Sequence, residues 1–303
     1  MELRELVERG VILRATVGST VHGLHHGGQD DRDEMAVFIE PPEYRLGLKL
    51  ARAQGRKLHP LEHWVERTQP EGVRSGPGDL DLVAYNLRKY VRLALKGHPT
   101  VLLLLFCPPE LTHVETDLGR ELRGLTGAIL SKRAGRGYRG YLGGQRERLL
   151  GSRGQKRVNR PELVEAHGYD TKYAMHAIRL GYQGIELLET GRVTLPMPEP
   201  ERSRVMAVRF GERSFDEVIT EIDEVEGRLA AALEHTSLPE EPDRDAVDAF
   251  LVDAYRRAWG WRSRSARPRR RRGGGAAACP KSRCQTPVRE CDGLAEKAWS
   301  SEG

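Results

Sequence analysis

Along the first hundred or so residues, apolar positions come in short runs separated by glycine-rich turns, the pattern of strands and helices mixed. Val11 to Val17 reads as a strand, Gly18-Ser19 follow, and Thr20 to Leu24 opens a short helix. His25 to Asp30 is a polar turn or loop, and Met35 to Ile39 is a second strand. Gly76-Pro77-Gly78 breaks the chain before a third strand, Leu80 to Ala84. Asn86 to Lys96 has the spacing of an amphipathic helix and stops at Gly97 and Pro99. Val101 to Phe106, the longest apolar run, is a buried strand or helix segment and far too short to cross a bilayer. From 117 to 259 apolar residues recur every three or four positions, as in Glu162 to Thr190 and Phe215 to Leu233, so this stretch is predicted to be mostly helical. From Arg262 onward the periodicity stops. Arg/Ser, Arg-rich and then Gly/Ala segments predict a disordered tail.

Composition narrows the class. The 303 residues suffice for a sizeable core and two modest domains, and 38% hydrophobic with 31% charged residues describes a soluble globular chain. The first nine residues carry charges where a secretory signal needs an apolar stretch, which predicts a cytoplasmic protein with no membrane partner. Three of the 4 cysteines fall in the last 25 residues, leaving Cys107 alone in the body, without a disulfide framework. The net charge of +5 misleads. From Arg262 onward there are 11 basic and 4 acidic side chains, which leaves 38 and 40 in residues 1–261. The body therefore carries −2, and the basic character belongs to the tail.

The chemistry is concentrated in Gly18-Ser19-Thr20-Val21-His22-Gly23 and in Asp31-Arg32-Asp33, which leads into Met35-Ala36-Val37-Phe38. Two carboxylates two residues apart on an extended segment point to the same side. Asp31 and Asp33 together suit a pair of Mg²⁺ ions, the clamp that phosphoryl transfer uses to neutralise its attacking and leaving oxygens. Mg²⁺ takes few carboxylates besides substrate phosphates, so a sparse acidic set is enough. Gly18 lets a phosphate approach the backbone, and Ser19 offers a hydroxyl and an amide to it.

A strand ending in Gly-Ser, a glycine a few residues on, and Asp-x-Asp entering a second strand resemble the signature of DNA polymerase β-like nucleotidyltransferases. The chain is most similar to a bacterial and phage branch associated with RNA repair. The similar segments are Asp79-Leu80-Asp81-Leu82-Val83-Ala84-Tyr85-Asn86-Leu87-Arg88-Lys89-Tyr90, Lys96-Gly97-His98-Pro99-Thr100, and Gly168-Tyr169-Asp170-Thr171-Lys172-Tyr173-Ala174-Met175-His176-Ala177-Ile178-Arg179. The resemblance implies that Gly18 and Ser19 contact a nucleoside triphosphate. It makes Asp31 and Asp33 ligands of two Mg²⁺ ions, or of Mn²⁺ in their place. It also implies a third carboxylate on a later strand, for which Asp81 fits best and Asp79 is the fallback, and which helps to deprotonate the attacking hydroxyl. Arg32 departs from the family pattern, which has an apolar residue there. The implied fold is an α/β (α+β) nucleotidyltransferase domain with a short mixed sheet over 1–112. A mostly helical substrate or closing domain over 113–261 and the disordered basic tail over 262–303 follow.

Lys172, His176 and Arg179 share one helix face, where they suit phosphates or solvent equally. Lys89, on the helix after Asp81, suits a phosphate in the same way. His22, His25 and His26 read as a polar loop, since no closed ligand set follows. Cys279, Cys284 and Cys291 lack a zinc spacing, and Arg269 to Arg272 suits a nucleic-acid phosphate backbone. The expected reaction is transfer of a nucleoside monophosphate to a hydroxyl of an RNA end, a small molecule or a protein. The rival readings are an antitoxin-like protein adenylyltransferase and a nucleic-acid-binding protein without catalysis.

Overall fold

The computed structural model describes residues 3–24, 32–51, 60–70, 73, 75–151 and 160–261. The expectations for His25, His26, Asp31 and everything from Arg262 onward lie outside the described residues.

Helix α1 (Leu3–Gly10) runs into β1 (Val11–Thr16), and the short helix α2 (Gly18–Val21) follows at once. Strand β2 (Arg32–Phe38), helix α3 (Pro42–Arg45), and strands β3 (His63–Arg67) and β4 (Leu80–Asn86) come next. Helices α4 (Leu87–Ala94) and α5 (Pro99–Phe106) lead to the short strand β5 (Thr112–Glu115). The five strands form one mixed sheet in the order β3-β4-β2-β1-β5. Strands β2 and β4 are parallel, and the other three neighbouring pairs are antiparallel.

The two faces of the sheet bury different cores because successive side chains alternate. Met35 and Val37 of β2, and Ile39 just after it, join the main core, whereas Ala36 and Phe38 pack with Leu6 and Val7 of α1 and with Leu80, Leu82 and Ala84 of β4. Asp33 and Asp81 fall by the same alternation on the main-core side, which also holds residues of α8, α10 and α12.

The remaining described chain is helical: α6 (Asp117–Gly124), α7 (Thr126–Ile129), α8 (Lys132–Leu149), α9 (Pro161–His167), α10 (Thr171–Thr190), α11 (Glu201–Arg209), α12 (Phe215–His235) and α13 (Arg244–Ala258). The stretch from Glu162 to Thr190, expected to be helical, forms two helices. Gly168 ends α9 in the left-handed conformation, and the Asp170 carboxylate caps α10 by accepting from the Lys172 and Tyr173 amides. Helix α10 is apolar on most sides and lies at the centre, packed on α8, α11 and α12. A methyl group on Gly181 would collide with Val225 of α12, so the glycine sets how closely those helices approach. The main core crosses residue 112 without a break, from β1 and β2 to α8, α10 and α12. Among the described residues no helix is long and apolar enough to cross a membrane.

Candidate active site

The end of β1 fixes the first element of the site. Val17 N–H donates to the Asp33 carbonyl at 2.8 Å, which holds Gly18 against β2. Gly18 has φ +68°, and a Cβ there would run into the Asp33 carboxylate. Glycine is therefore required twice at this position, for its backbone conformation and for the seat of the carboxylate.

Asp33 and Asp81 are direct register partners on the parallel strands β2 and β4. Neighbouring strands lie roughly 4.8 Å apart, so the two carboxylates leave the same face of the sheet from adjacent positions. Arg67 of β3 is in register with Asp81 on its other side, and its Nε lies 3.1 Å from Asp81 Oδ2. Asp81 Oδ1 is shut off from solvent and has no hydrogen-bond partner. Asp79 is occupied differently. Its carboxylate accepts from Gly76 N–H and from the Thr68 hydroxyl, each at 2.9 Å, and so closes the turn before β4. Arg32, the departure from the family pattern, is exposed at the start of β2, with its N–H donated to the Asp79 carbonyl.

Two clefts meet at Gly18 and Asp33. One, of about 430 Å³, sets Gly18, Ser19 and Asp33 against Lys172, His176 and Arg179 of α10, with Arg209 of α11 beside them. The other, of about 520 Å³, adds Arg67 and Asp81, together with His98 and Tyr141, whose side chains bond to each other at 2.7 Å. Tyr141 lines both clefts. The face of α10 that suited phosphates or solvent equally thus lines a cleft opposite Ser19. Lys89 lies elsewhere. Its ammonium is 3.2 Å from Glu62, and it lines neither cleft. Among the described residues no three of His, Cys, Asp and Glu group closely enough to hold a metal ion, and of the carboxylates expected in the site Asp33 and Asp81 are neighbours in the sheet register.

His22 is not the loop histidine expected from the sequence. It is 3% exposed, and its Nε2 lies 2.9 Å from Arg179 Nη1 and its Nδ1 3.0 Å from the Gln183 amide nitrogen. Gln183 Oε1 in turn accepts from Arg179 Nη1 at 2.8 Å. Burial, and then the neighbouring Arg179 and His176, hold the His22 imidazole well below its usual range. His176 is likewise held low, first by burial and then by Arg179, Lys172, Arg160 and Arg209. Burial also brings Arg179 down to about 10, which leaves it charged at neutral pH. The one sequence signal for this cluster was Gln183, four residues after Arg179 on the same helix. Nothing near His22 in the sequence pointed to either.

Among solved structures, a nucleotidyltransferase-like protein from Exiguobacterium sibiricum 255-15 aligns over 82% of this chain and 74% of its own, at 11% identity and a TM-score of 0.27. No curated protein is similar enough to match. The family model described as RlaP, RNA repair pathway DNA polymerase beta family, matches residues 1–253, and the chain belongs to that family.

Proposed function

We propose that this chain is a metal-dependent nucleotidyltransferase that moves a nucleoside monophosphate from a triphosphate to the hydroxyl of an RNA end. The observation that carries the reading is the register of Asp33 with Asp81 where the two clefts join. The donor set fits a hard divalent cation, since it offers carboxylate oxygens, one of them enclosed and without a partner. Asp33 and Asp81, with Asp31 from the segment just before β2, are the residues that would hold Mg²⁺, or Mn²⁺ in its place. Such a cation neutralises charge on the attacking and leaving oxygens.

The chain's own groups do the rest. Gly18 and Ser19 position the phosphates from the sheet side, and Lys172 and Arg179 grip them from α10. Lys89 has no part in this scheme, because Glu62 holds its ammonium. The Asp81 carboxylate takes the proton of the attacking hydroxyl. The hydroxyl oxygen bonds to the α-phosphorus, the bond from that phosphorus to the bridging oxygen breaks, and pyrophosphate leaves. An RNA end is favoured as acceptor because the family is one of an RNA repair pathway. A purely nucleic-acid-binding role would give the acidic pair no task and would set it against a polyanion.

The test is label transfer from α-labelled triphosphates to RNA with free hydroxyl ends, in Mg²⁺ and in Mn²⁺. Wild type should transfer label, and Asp33→Ala and Asp81→Asn should each lose at least about 100-fold in rate. Equal transfer by Asp33→Ala would sink the reading. Label found on protein instead of RNA would replace the acceptor by a side-chain hydroxyl, as in an antitoxin-like adenylyltransferase.

A further inference from the structure

Arg179 is a cation held entirely by neutral groups. Its Nη1 donates to His22 Nε2 and to Gln183 Oε1, and no carboxylate among the described residues pairs with it. Its Nε is closed off from solvent and has no partner at all. Both holding groups are themselves anchored. His22 and Gln183 are 3% and 2% exposed, and the His22 carbonyl accepts from the Met197 N–H at 3.1 Å. Lys172 and Arg209, with His176, line the same cleft, and Asp33 lines it from the sheet side.

This is an expensive way to fix an arginine. Enclosing a guanidinium is costly unless an opposite charge repays it. A carboxylate at position 183 would fix the same fork more firmly, through charge-assisted bonds. It would also cancel the charge. Neutral acceptors give up part of the fixing energy and keep the field aimed into the cleft, where reduced water makes it act more strongly on an anion.

We propose that His22 and Gln183 are neutral tethers that hold the Arg179 guanidinium at the cleft wall with its charge uncancelled, so that the polyphosphate of the nucleotide supplies the counter-charge. The proposal rests on the reading of this cleft as the triphosphate site. Neither tether is a catalytic residue, since each acts through Arg179.

The experiment is calorimetric titration of the whole chain with inorganic tripolyphosphate at pH 8, where His22 is neutral, alongside thermal unfolding. Gln183→Glu should weaken tripolyphosphate binding by about tenfold or more, with an unfolding midpoint at or above that of wild type. Gln183→Met removes the tether without adding charge, and should weaken binding less than Gln183→Glu does. His22→Glu puts the same charge on the other tether and should reproduce the loss if Gln183→Glu does not fold. Wild-type affinity in the folded glutamate variants overturns the proposal. So does a methionine variant that loses as much as the glutamate one, because packing alone then explains the effect. So does a wild type that does not bind tripolyphosphate. Label transfer on the same proteins separates the two claims. A wild type that transfers label while Gln183→Glu binds tripolyphosphate unchanged removes the tether and leaves the transferase standing.

Discussion

Gly18 and Asp33 make one unit, although they are fifteen residues apart in the chain. The Val17–Asp33 backbone bond brings them together, and the carboxylate occupies the space a side chain at 18 would need. A Gly18→Ala change therefore meets two penalties. Alanine is strained at φ +68°, and its methyl must displace Asp33. We expect a loss of roughly 1–3 kcal/mol in urea unfolding, with label transfer falling by more than the unfolded fraction accounts for. An alanine variant with full activity would mean that the seat of Asp33 does not matter. At this scale the sequence was informative where chemistry sits on local pattern. Gly18, Ser19 and Asp33 stand out from a turn and a spacing, Asp81 came only from the family resemblance, and all four line the two joined clefts. Lys89 could not be placed, because its partner Glu62 comes from a segment with no pattern of its own.

Helix α10 is the element on which both the packing and the basic cleft wall depend. Its small residues let α8 and α12 close on it, and its polar face carries Lys172, His176, Arg179 and Gln183. Gly181→Val should overpack the contact with Val225 and cost roughly 1–3 kcal/mol of stability. Val225→Ala in the same chain should return at least half of it, since the two changes share one space. Additive losses in the double variant, measured by denaturant unfolding, would show that Gly181 is not limited by α12. The elements legible in the sequence were the long and strongly patterned ones. Strands β1, β2 and β4 and the helical run from 117 were expected, and β2 begins three residues earlier than its apolar run because the pairing with β4 continues through Asp33. Strands β3 and β5 were not expected. They lie at the two edges of the sheet, where pairing to one neighbour supports short sequences with too few apolar positions to stand out. The apolar run at 101 resolves as helix α5, with Pro99 at its first turn.

The whole molecule is held together across the sheet–helix seam by buried polar groups, and this makes its stability depend on pH with signs that can be worked out. His22 joins the segment after β1 to α10. Glu40, at the far end of β2, accepts from Asn86 and from the Tyr255 hydroxyl of α13, and the Trp259 indole donates to its carbonyl. The two titrate in opposite senses. His22 and His176 are held below 6.5 in the native state, chiefly by burial, so the unfolded chain takes up protons first as pH falls. Their contribution is present above about pH 6.5 and is lost as pH drops below it toward the native values. Glu40 is raised above 4.5, again chiefly by burial and against the pull of Tyr255 and Arg45. Its contribution is present below 4.5 and is lost as pH rises through its native value, so it opposes the histidines. Only the histidine terms fall away in a histidine variant, which makes the difference between two proteins the clean measurement. Urea unfolding from pH 8 down to pH 5.5 should show wild type losing stability below pH 6.5. His22→Asn should be flatter there by up to about 1.4 kcal/mol per pH unit, the slope of one proton. Parallel curves for the two proteins would mean that His22 takes up its proton alike in the native and unfolded chain, and the enclosure assigned to it at the seam would have to be abandoned.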